Sequence, residues 1–302
     1  MEVEALSREV SPSSNKPYGV ARVARAWGLA RSTFYASRHR RNHPRELRKC
    51  GPRRISDEAL LEEIRRVIAE TAFRGEGYRK IWARLRHRDV RVWKERVLWL
   101  MRENGLLSPH REAAVVLARR HDGVIVTSSP DQVWGADATA AKTEQDGQVT
   151  VFAAIDHCTA ECVGIHVAKR AHRFEALEPI RQGVREHFGG FSGGISAALC
   201  LRHDHGSVYV SRDFQSEVRF LGIRSSPSFI RQPEGNGCIE RFFRTLKEQL
   251  LWIERFRNIE ELRKALHGFR ERYNGQWIVQ RLGYRTPSQA RRDFMLALPS
   301  AA

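Results

Sequence analysis

Three apolar segments, Gln132 to Ala140, Val149 to Ile155 and Glu161 to Val167, are separated only by Gln145-Asp146-Gly147 and by Asp156-His157-Cys158-Thr159. Connections this short suit an antiparallel meander. Behind it the pattern predicts a helix at about His172 to Phe188, a Gly-rich loop from Gly189 to Gly194, and an apolar run from Ile195 to Leu201 with strand character. A short helix near Asp213 to Leu221, a strand at Ile223 to Ser225 and a helix carrying Ile239, Phe242, Phe243, Leu246 and Leu250 follow. The order is βββαβαβα.

Acids fall at informative places in this order. The apolar run stops at His203-Asp204-His205-Gly206, which puts Asp204 just past a strand's carboxyl end, with Gly206 free to turn the chain. Open α/β sheets place their ligands in the crevice there. Glu240 follows a loop marked by Pro233, Gly235 and Gly237 and belongs to the first turn or two of the last helix. Between Asp204 and Glu240 lie 35 residues, and 66 separate Asp204 from an upstream acid, Asp137, in Trp134-Gly-Ala-Asp137-Ala-Thr139. Solvation at a surface turn is the usual fate of an acid. Asp137 resists that reading best, because apolar strand residues flank it. Glu234, in the Pro-Gly loop, is the rival to Glu240; Asp156 is the rival to Asp137, with a hairpin-turn role favoured for it.

A lone pair of acids at this spacing is weak, but the joint set is specific. Trp134-x-x-Asp137-x-Thr139, Asp204-x-Gly206-Ser207-x-Tyr209, Ser226-Pro227, Asn236-x-x-x-Glu240-x-Phe-Phe-x-Thr-Leu-Lys247 and Tyr273-Asn274 followed by Leu282-Gly-Tyr-Arg-Thr286-Pro287 all stand in one chain. The sequence resembles a DDE transposase of the RNase H-like, retroviral-integrase class, and within it the catalytic protein of the large bacterial insertion-sequence family whose second reading frame carries an integrase core. The resemblance covers most of residues 57 to 292. It implies an RNase H-like core with a mixed five-stranded sheet and helices, and Asp137, Asp204 and Glu240 as catalytic metal ligands for two divalent ions, magnesium or in its place manganese. Gly237 and Arg241 depart from the family, which often has a small residue with a side chain and a small polar one there.

Such carboxylates suit phosphodiester chemistry, since two ions about 4 Å apart can clamp an in-line displacement and hard oxygens can hold them. Lys247, two turns after Glu240, projects from the same helix face toward where a phosphate would lie. Spacing alone serves an ordinary solvated lysine equally well; the resemblance favours the phosphate. Arg244, one turn from Glu240, is a weaker candidate of the same kind.

Charge divides the chain. Residues 1 to 120 carry 28 Lys and Arg against 14 Asp and Glu, and the rest carry 24 against 21. The front therefore suits a polyanion, the rear a chemistry that needs carboxylates. Residues 1 to 16 are polar and expected to fray. Val20, Val23, Ala24 and Trp27 then share a helical face, Gly28 breaks the helix and a second starts near Arg31, a helix-turn-helix pattern in which Arg31, Ser32 and Thr33 would meet the major groove. A small helical hairpin packed on its own protein is the alternative. Asp57 to Gly105 predicts three further helices with Leu60, Leu61, Ile64, Val67 and Ile68 as the stripe of the first; this resembles the family's second helix-turn-helix, with Arg79, Lys80, Arg84, Arg91, Lys94 and Arg96 tracking phosphates.

The expected domains are 1–45 and 55–107 (helix-turn-helix), 108–130 (basic linker), 131–250 (catalytic core) and 251–302, where Asn258 caps a helix with Ile259, Leu262, Leu266, Phe269 and Tyr273 as its buried stripe. Five scattered cysteines without a C-x-x-C pair point to buried thiols rather than to disulfides or zinc. No apolar run approaches the ~18 residues that span a membrane, and the start is unlike a signal peptide, so a cytoplasmic protein is expected. The expected reaction is metal-dependent cleavage and 3′-end strand transfer. Its expected partners are double-stranded DNA (terminal inverted repeats and target), at least a second subunit on that DNA and an upstream-frame DNA-binding protein. The competing reading is a DNA-binding regulator or a decayed transposase that no longer cuts.

Overall fold

The computed structural model describes residues 2–42, 55–108, 127–227 and 236–297. The expected linker over 44–54, most of the expected connector over 108–130 and the rival acid Glu234 lie outside them. The described chain divides into two compact units, 1–56 and 57–302.

The first unit holds α1 (Glu2–Arg8), α2 (Gly19–Ala26) and α3 (Arg31–Asn42). The start of the chain does not fray as expected. Glu4 and Arg8 pair one turn apart in α1, Val3 is buried, and an isolated bridge joins Val10 to Pro17. Gly28, at φ +64°, ends α2 as read from sequence, a left-handed conformation that favours glycine. Of the face expected to be apolar, Val23 and Ala24 are buried, whereas Trp27 is 48% exposed.

The second unit begins with α4 (Asp57–Glu70), α5 (Tyr78–His87) and α6 (Lys94–Glu103). Leu60, Ile64, Val67, Ile81, Leu85, Val97 and Met101 form their common interior. This bundle is tied to the α/β part: Phe73 packs edge-on to Trp277, Arg74 N–H donates to Gln249 (2.8 Å), and Arg84 donates to Glu76 and to the Gln276 carbonyl.

The sheet consists of β1 (Val133–Thr143), β2 (Gly147–Asp156), β3 (Cys162–Ala168), β4 (Cys200–His203) and β5 (Arg224–Pro227) in the order β3-β2-β1-β4-β5. The first three strands pair antiparallel, and β4 and β5 add parallel to β1. This is the mixed five-stranded sheet of an RNase H-like core. Period-two alternation assigns its faces. From β2, Val149, Val151, Ala153 and Ile155 pack on α10 (Gly237–Leu246) and α11 (Ile259–Gln276), while Phe152 and Ala154 pack on the side of α7 (Arg173–Phe188), the short α8 (Ser207–Val210) and α9 (Arg212–Phe220). Gly164 of β3 permits the close approach of α7, since a Cβ there would stand 2.0 Å from the Pro179 carbonyl oxygen.

The strand expected from Ile195 to Leu201 is a correction: β4 starts only at Cys200. The residues before it form turns, with the Gly194 and Ser196 N–H groups donating to the carbonyls of Phe220 and Leu221 at the end of α9 rather than to a neighbouring strand. Asn258 caps α11 as expected, accepting from Glu261 N–H at 3.0 Å, and Ile259, Leu262, Leu266, Phe269 and Tyr273 are buried. The last helix, α12 (Pro287–Ala297), is locked by Arg291, whose guanidinium pairs with Asp131 (2.6 and 3.0 Å) and with Glu161 in a largely buried cluster.

Candidate active site

Asp137 lies in the middle of β1, on the face where Ala141 joins the α10–α11 core, while Trp134 and Ala136 turn to the α7 side. Apolar packing thus fixes the strand, and alternation delivers the carboxyl to one face. That face opens into a cleft of about 310 Å³ lined by Asp137, Ala138, Thr139, Glu240, Phe243, Arg244, Lys247 and Trp252.

Glu240 reaches the cleft because Ile239, Phe242, Phe243 and Leu246 bury the inner face of α10 and leave residue 240 at its solvent edge. The helix is held at its start by Asn236, whose amide donates to the Ala136 carbonyl (3.3 Å) beside Asp137. Its Oδ1 and Nε2 of His157 both lie 2.8 Å from where a Cβ on Gly135 would be, so that position has no room for a side chain.

Asp204 stands one residue beyond β4. The parallel register pairs Gly135 with Arg202, two residues before Asp137 and two before Asp204. Buried His203 anchors the strand end through Nε2 to Ser225 Oγ (2.8 Å), and its Nδ1 lies 2.6 Å from the Asp204 carbonyl oxygen. The Asp204 carboxylate accepts from Gly206 N–H at 2.9 Å. Gly206 itself has φ −56°, an ordinary value, so the expected turning role is corrected: glycine is suited there because a Cβ would meet Asp204 Oδ1 at 2.9 Å.

The three acids are not gathered into one tight cluster. Asp204 is absent from the cleft lining, and among the described residues no group of three His, Cys, Asp or Glu side chains is close enough to hold an ion as it stands. Their charges nevertheless act on one another. The Asp137 carboxyl is pushed up to about 6, by burial first and by the charges of Asp204 and Glu240 as well, against the Ala138 N–H and Lys247, which lower it. Burial also raises Glu240. The rival Asp156 is fully buried and accepts from the N–H groups of Asp131 and Thr159 and from the Thr159 hydroxyl, so it organises the β2–β3 turn.

Arg244 and Lys247 line the cleft with Glu240; Arg244 also pairs with Glu248 at 3.1 Å. Arg31, Ser32 and Thr33 are exposed at the start of α3, and Arg79 and Lys94 are exposed on α5 and α6. Lys80 is a correction. Its ammonium lies 2.7 Å from the Trp277 ring centroid and 3.6 Å from Glu76, turned into the fold rather than toward a phosphate. Arg84 and Arg96 are likewise engaged, with Glu76 and Asp57. A second cleft, about 480 Å³, is lined by Trp82, Arg86, Arg91, Trp93 and Lys94. Sequence reading missed Trp252: at five residues from Lys247, ideal helical spacing puts it on another face.

Two family models match, the integrase core domain over residues 221–287 and an HTH-like domain over 56–114. Transposase InsD for insertion element IS2D, from Escherichia coli strain K12, is 27% identical over 277 residues, covering 90% of each chain. The insertion element IS2A uncharacterized 48.2 kDa protein of Escherichia coli is 26% identical over 284 residues, and the match covers 92% of this chain and 66% of that one. This chain thus spans just under two thirds of the longer relative. Among solved structures, the simian T-cell lymphotropic virus intasome aligns with a TM-score of 0.48 at 18% identity, over 73% of this chain and 72% of that one. The HTLV-2 integrase catalytic core domain in complex with magnesium aligns with a TM-score of 0.41 at 17% identity, over 54% and 98%.

Proposed function

We infer that this chain is a DDE transposase of the RNase H-like class, with a helix-turn-helix region ahead of an integrase core; the two matching family models and the likeness to transposase InsD support that reading. It nicks the 3′ ends of its own insertion element and joins the freed hydroxyl to target DNA. The observation that supports this reading best is the cleft in which Asp137 and Glu240 face Arg244 and Lys247, with Asp204 at the adjacent strand end.

The residues fit a divalent cation. The donors are hard carboxylate oxygens, Asp137 and Glu240 in one cleft and Asp204 at the adjacent strand end, and the Asp137 carboxyl is raised by burial first and then by the charges of Asp204 and Glu240. Asp137, Asp204 and Glu240 would hold two such ions, magnesium first. When bound, the ions supply activation of the attacking oxygen and stabilisation of the leaving oxygen. Lys247 and Arg244 place positive charge on the phosphate next to the bond that breaks. Asn236 and the α10 core hold Glu240 in position, and the His203–Ser225 contact holds the turn that presents Asp204.

Recognition of the ends falls to the basic helices. Arg31, Ser32 and Thr33 meet bases, while Arg79 and Lys94 contact phosphates. Two subunits on two element ends, and fusion by frameshifting to an upstream-frame DNA-binding protein, belong to the same reading. The test uses the purified chain, magnesium and a plasmid carrying the coding frame with its native flanking DNA. Nicks mapping to the 3′ ends of flanking inverted repeats are expected; nicks scattered without regard to those ends would contradict the assignment.

A further inference from the structure

The helix that carries Glu240 does not continue as an α-helix. Lys247–Leu251 form a single π turn, closed by the Trp252 N–H donating to the Lys247 carbonyl at 2.9 Å. In an α-helix five residues advance by roughly 500°, which would put residue 252 about 140° away from residue 247. The i→i+5 bond brings it back over Lys247 instead. The π turn therefore adds an indole to the same cleft as Asp137, Glu240, Arg244 and Lys247.

That indole is 71% exposed, although Leu250 and Phe256 on either side of it are buried. Among the described residues no aromatic ring or cation packs on it. An open aromatic face costs hydration free energy unless something covers it. Its neighbours say what would do so: Arg244 and Lys247 attract phosphate, and an aromatic face beside cations is how proteins seat single-stranded nucleic acid. Within a duplex each base face is already covered by its neighbours, so only an unpaired base can offer one.

We propose that Trp252 is the stacking platform for an unpaired nucleobase of the DNA end, next to the phosphate held by Arg244 and Lys247. The proposal rests on the DNA-cutting reading of the cleft. It adds a requirement that the end be opened locally, which makes Trp252 a binding residue for the flipped or frayed base rather than a part of the apolar core. Because the side chain is mostly exposed, Trp252→Ala leaves the fold intact, and Trp252→Phe keeps an aromatic face.

The probe is a forked duplex carrying 2-aminopurine in its unpaired strand, compared with a fully paired duplex carrying the same base internally. Binding to the full chain is followed by fluorescence without divalent metal, so that the result does not depend on cleavage. The wild type is expected to prefer the fork and to quench the unpaired 2-aminopurine. Trp252→Ala should lose roughly ten- to a hundredfold of that preference together with the quench, and Trp252→Phe should retain most of both. Wild-type protein without preference or quench, or Trp252→Ala matching the wild type in both, would overturn the proposal. Glu240→Gln, measured in parallel for magnesium-dependent nicking, separates the two ideas: a stack that persists while Glu240→Gln still nicks removes the reaction assignment and leaves the stack standing.

Discussion

Gly135 of β1 stands opposite Arg202 of β4, so that Asp137, two residues further along β1, and Asp204, just past the end of β4, follow the same step of the parallel register. The relation follows from parallel pairing of a strand that belongs to the meander with one that arrives after a helix. It relates groups separated by 66 intervening residues, and α10 supplies the third acid, Glu240, to the cleft that Asp137 lines.

Gly206→Ala should impair cleavage without unfolding the protein. The backbone at Gly206 suits alanine, but the new Cβ would stand 2.9 Å from Asp204 Oδ1 and displace the carboxylate. A displacement on the order of 1 Å can cost up to about a hundredfold in rate. Single-turnover nicking, with circular dichroism to verify folding, measures the effect; unchanged nicking would show that Asp204 works equally well from another rotamer.

The Asp137 carboxyl predicts a pH dependence of stability without metal. Its folded pKa, about 6, exceeds the ordinary 3.8, so between those values the folded state holds more protons than the unfolded one and stability falls as pH rises. The loss is on the order of 1–2 kcal/mol, discounted because the side chain is partly exposed. Urea denaturation across that window should show the decline in wild type and a smaller one in Asp137→Asn, and magnesium at neutral pH should restore stability to the wild type alone. Identical pH profiles for the two proteins would remove the electrostatic strain assigned to Asp137.

Gly164→Ala should be among the most damaging single changes in the core. Its Cβ would overlap the Pro179 carbonyl oxygen, which is backbone and cannot swing away. Forcing α7 off β3 should cost about 3 kcal/mol or more, read as a lower melting temperature or as insoluble protein. A melting temperature within a degree or two of wild type would mean that the helix shifts freely.

Arg291→Ala should destabilise the second unit by about 3–5 kcal/mol, because Glu161 would remain buried and Asp131 half-buried without their partner. Arg291 holds Asp131 below its ordinary range, opposing the effect of burial, so that contribution is present above the usual carboxylate pKa and is lost as pH falls below it. Chemical denaturation at neutral and at acidic pH should show the gap between variant and wild type narrowing in acid.

The meander is legible in sequence because very short connections join its three apolar runs, Asp137 stands out because apolar strand residues flank it, and the Asn258 cap is legible because its residue type and the stripe after it agree. Other features are not. β4 is four residues long because the segment before it bonds to the end of α9, a partner no local pattern reveals. Lys80 lies on a basic helix yet turns inward, because Glu76 and a tryptophan nearly two hundred residues away enclose it. Trp252 reaches the cleft only through a π turn, which helical periodicity does not anticipate. Each miss comes from a long-range contact or an irregular backbone overriding local spacing.

The central claim is that Asp137, Asp204 and Glu240 work as one unit, and non-additivity tests it most directly. Magnesium-dependent nicking of element-end DNA should be measured for Asp137→Asn, Asp204→Asn and Glu240→Gln, singly and in pairs, each variant shown to fold and bind DNA. Groups that act together lose nearly everything with the first substitution. The expected result is that every single variant falls to background and no double variant falls further. Near wild-type nicking by any single variant, or losses that multiply from single to double, would contradict it.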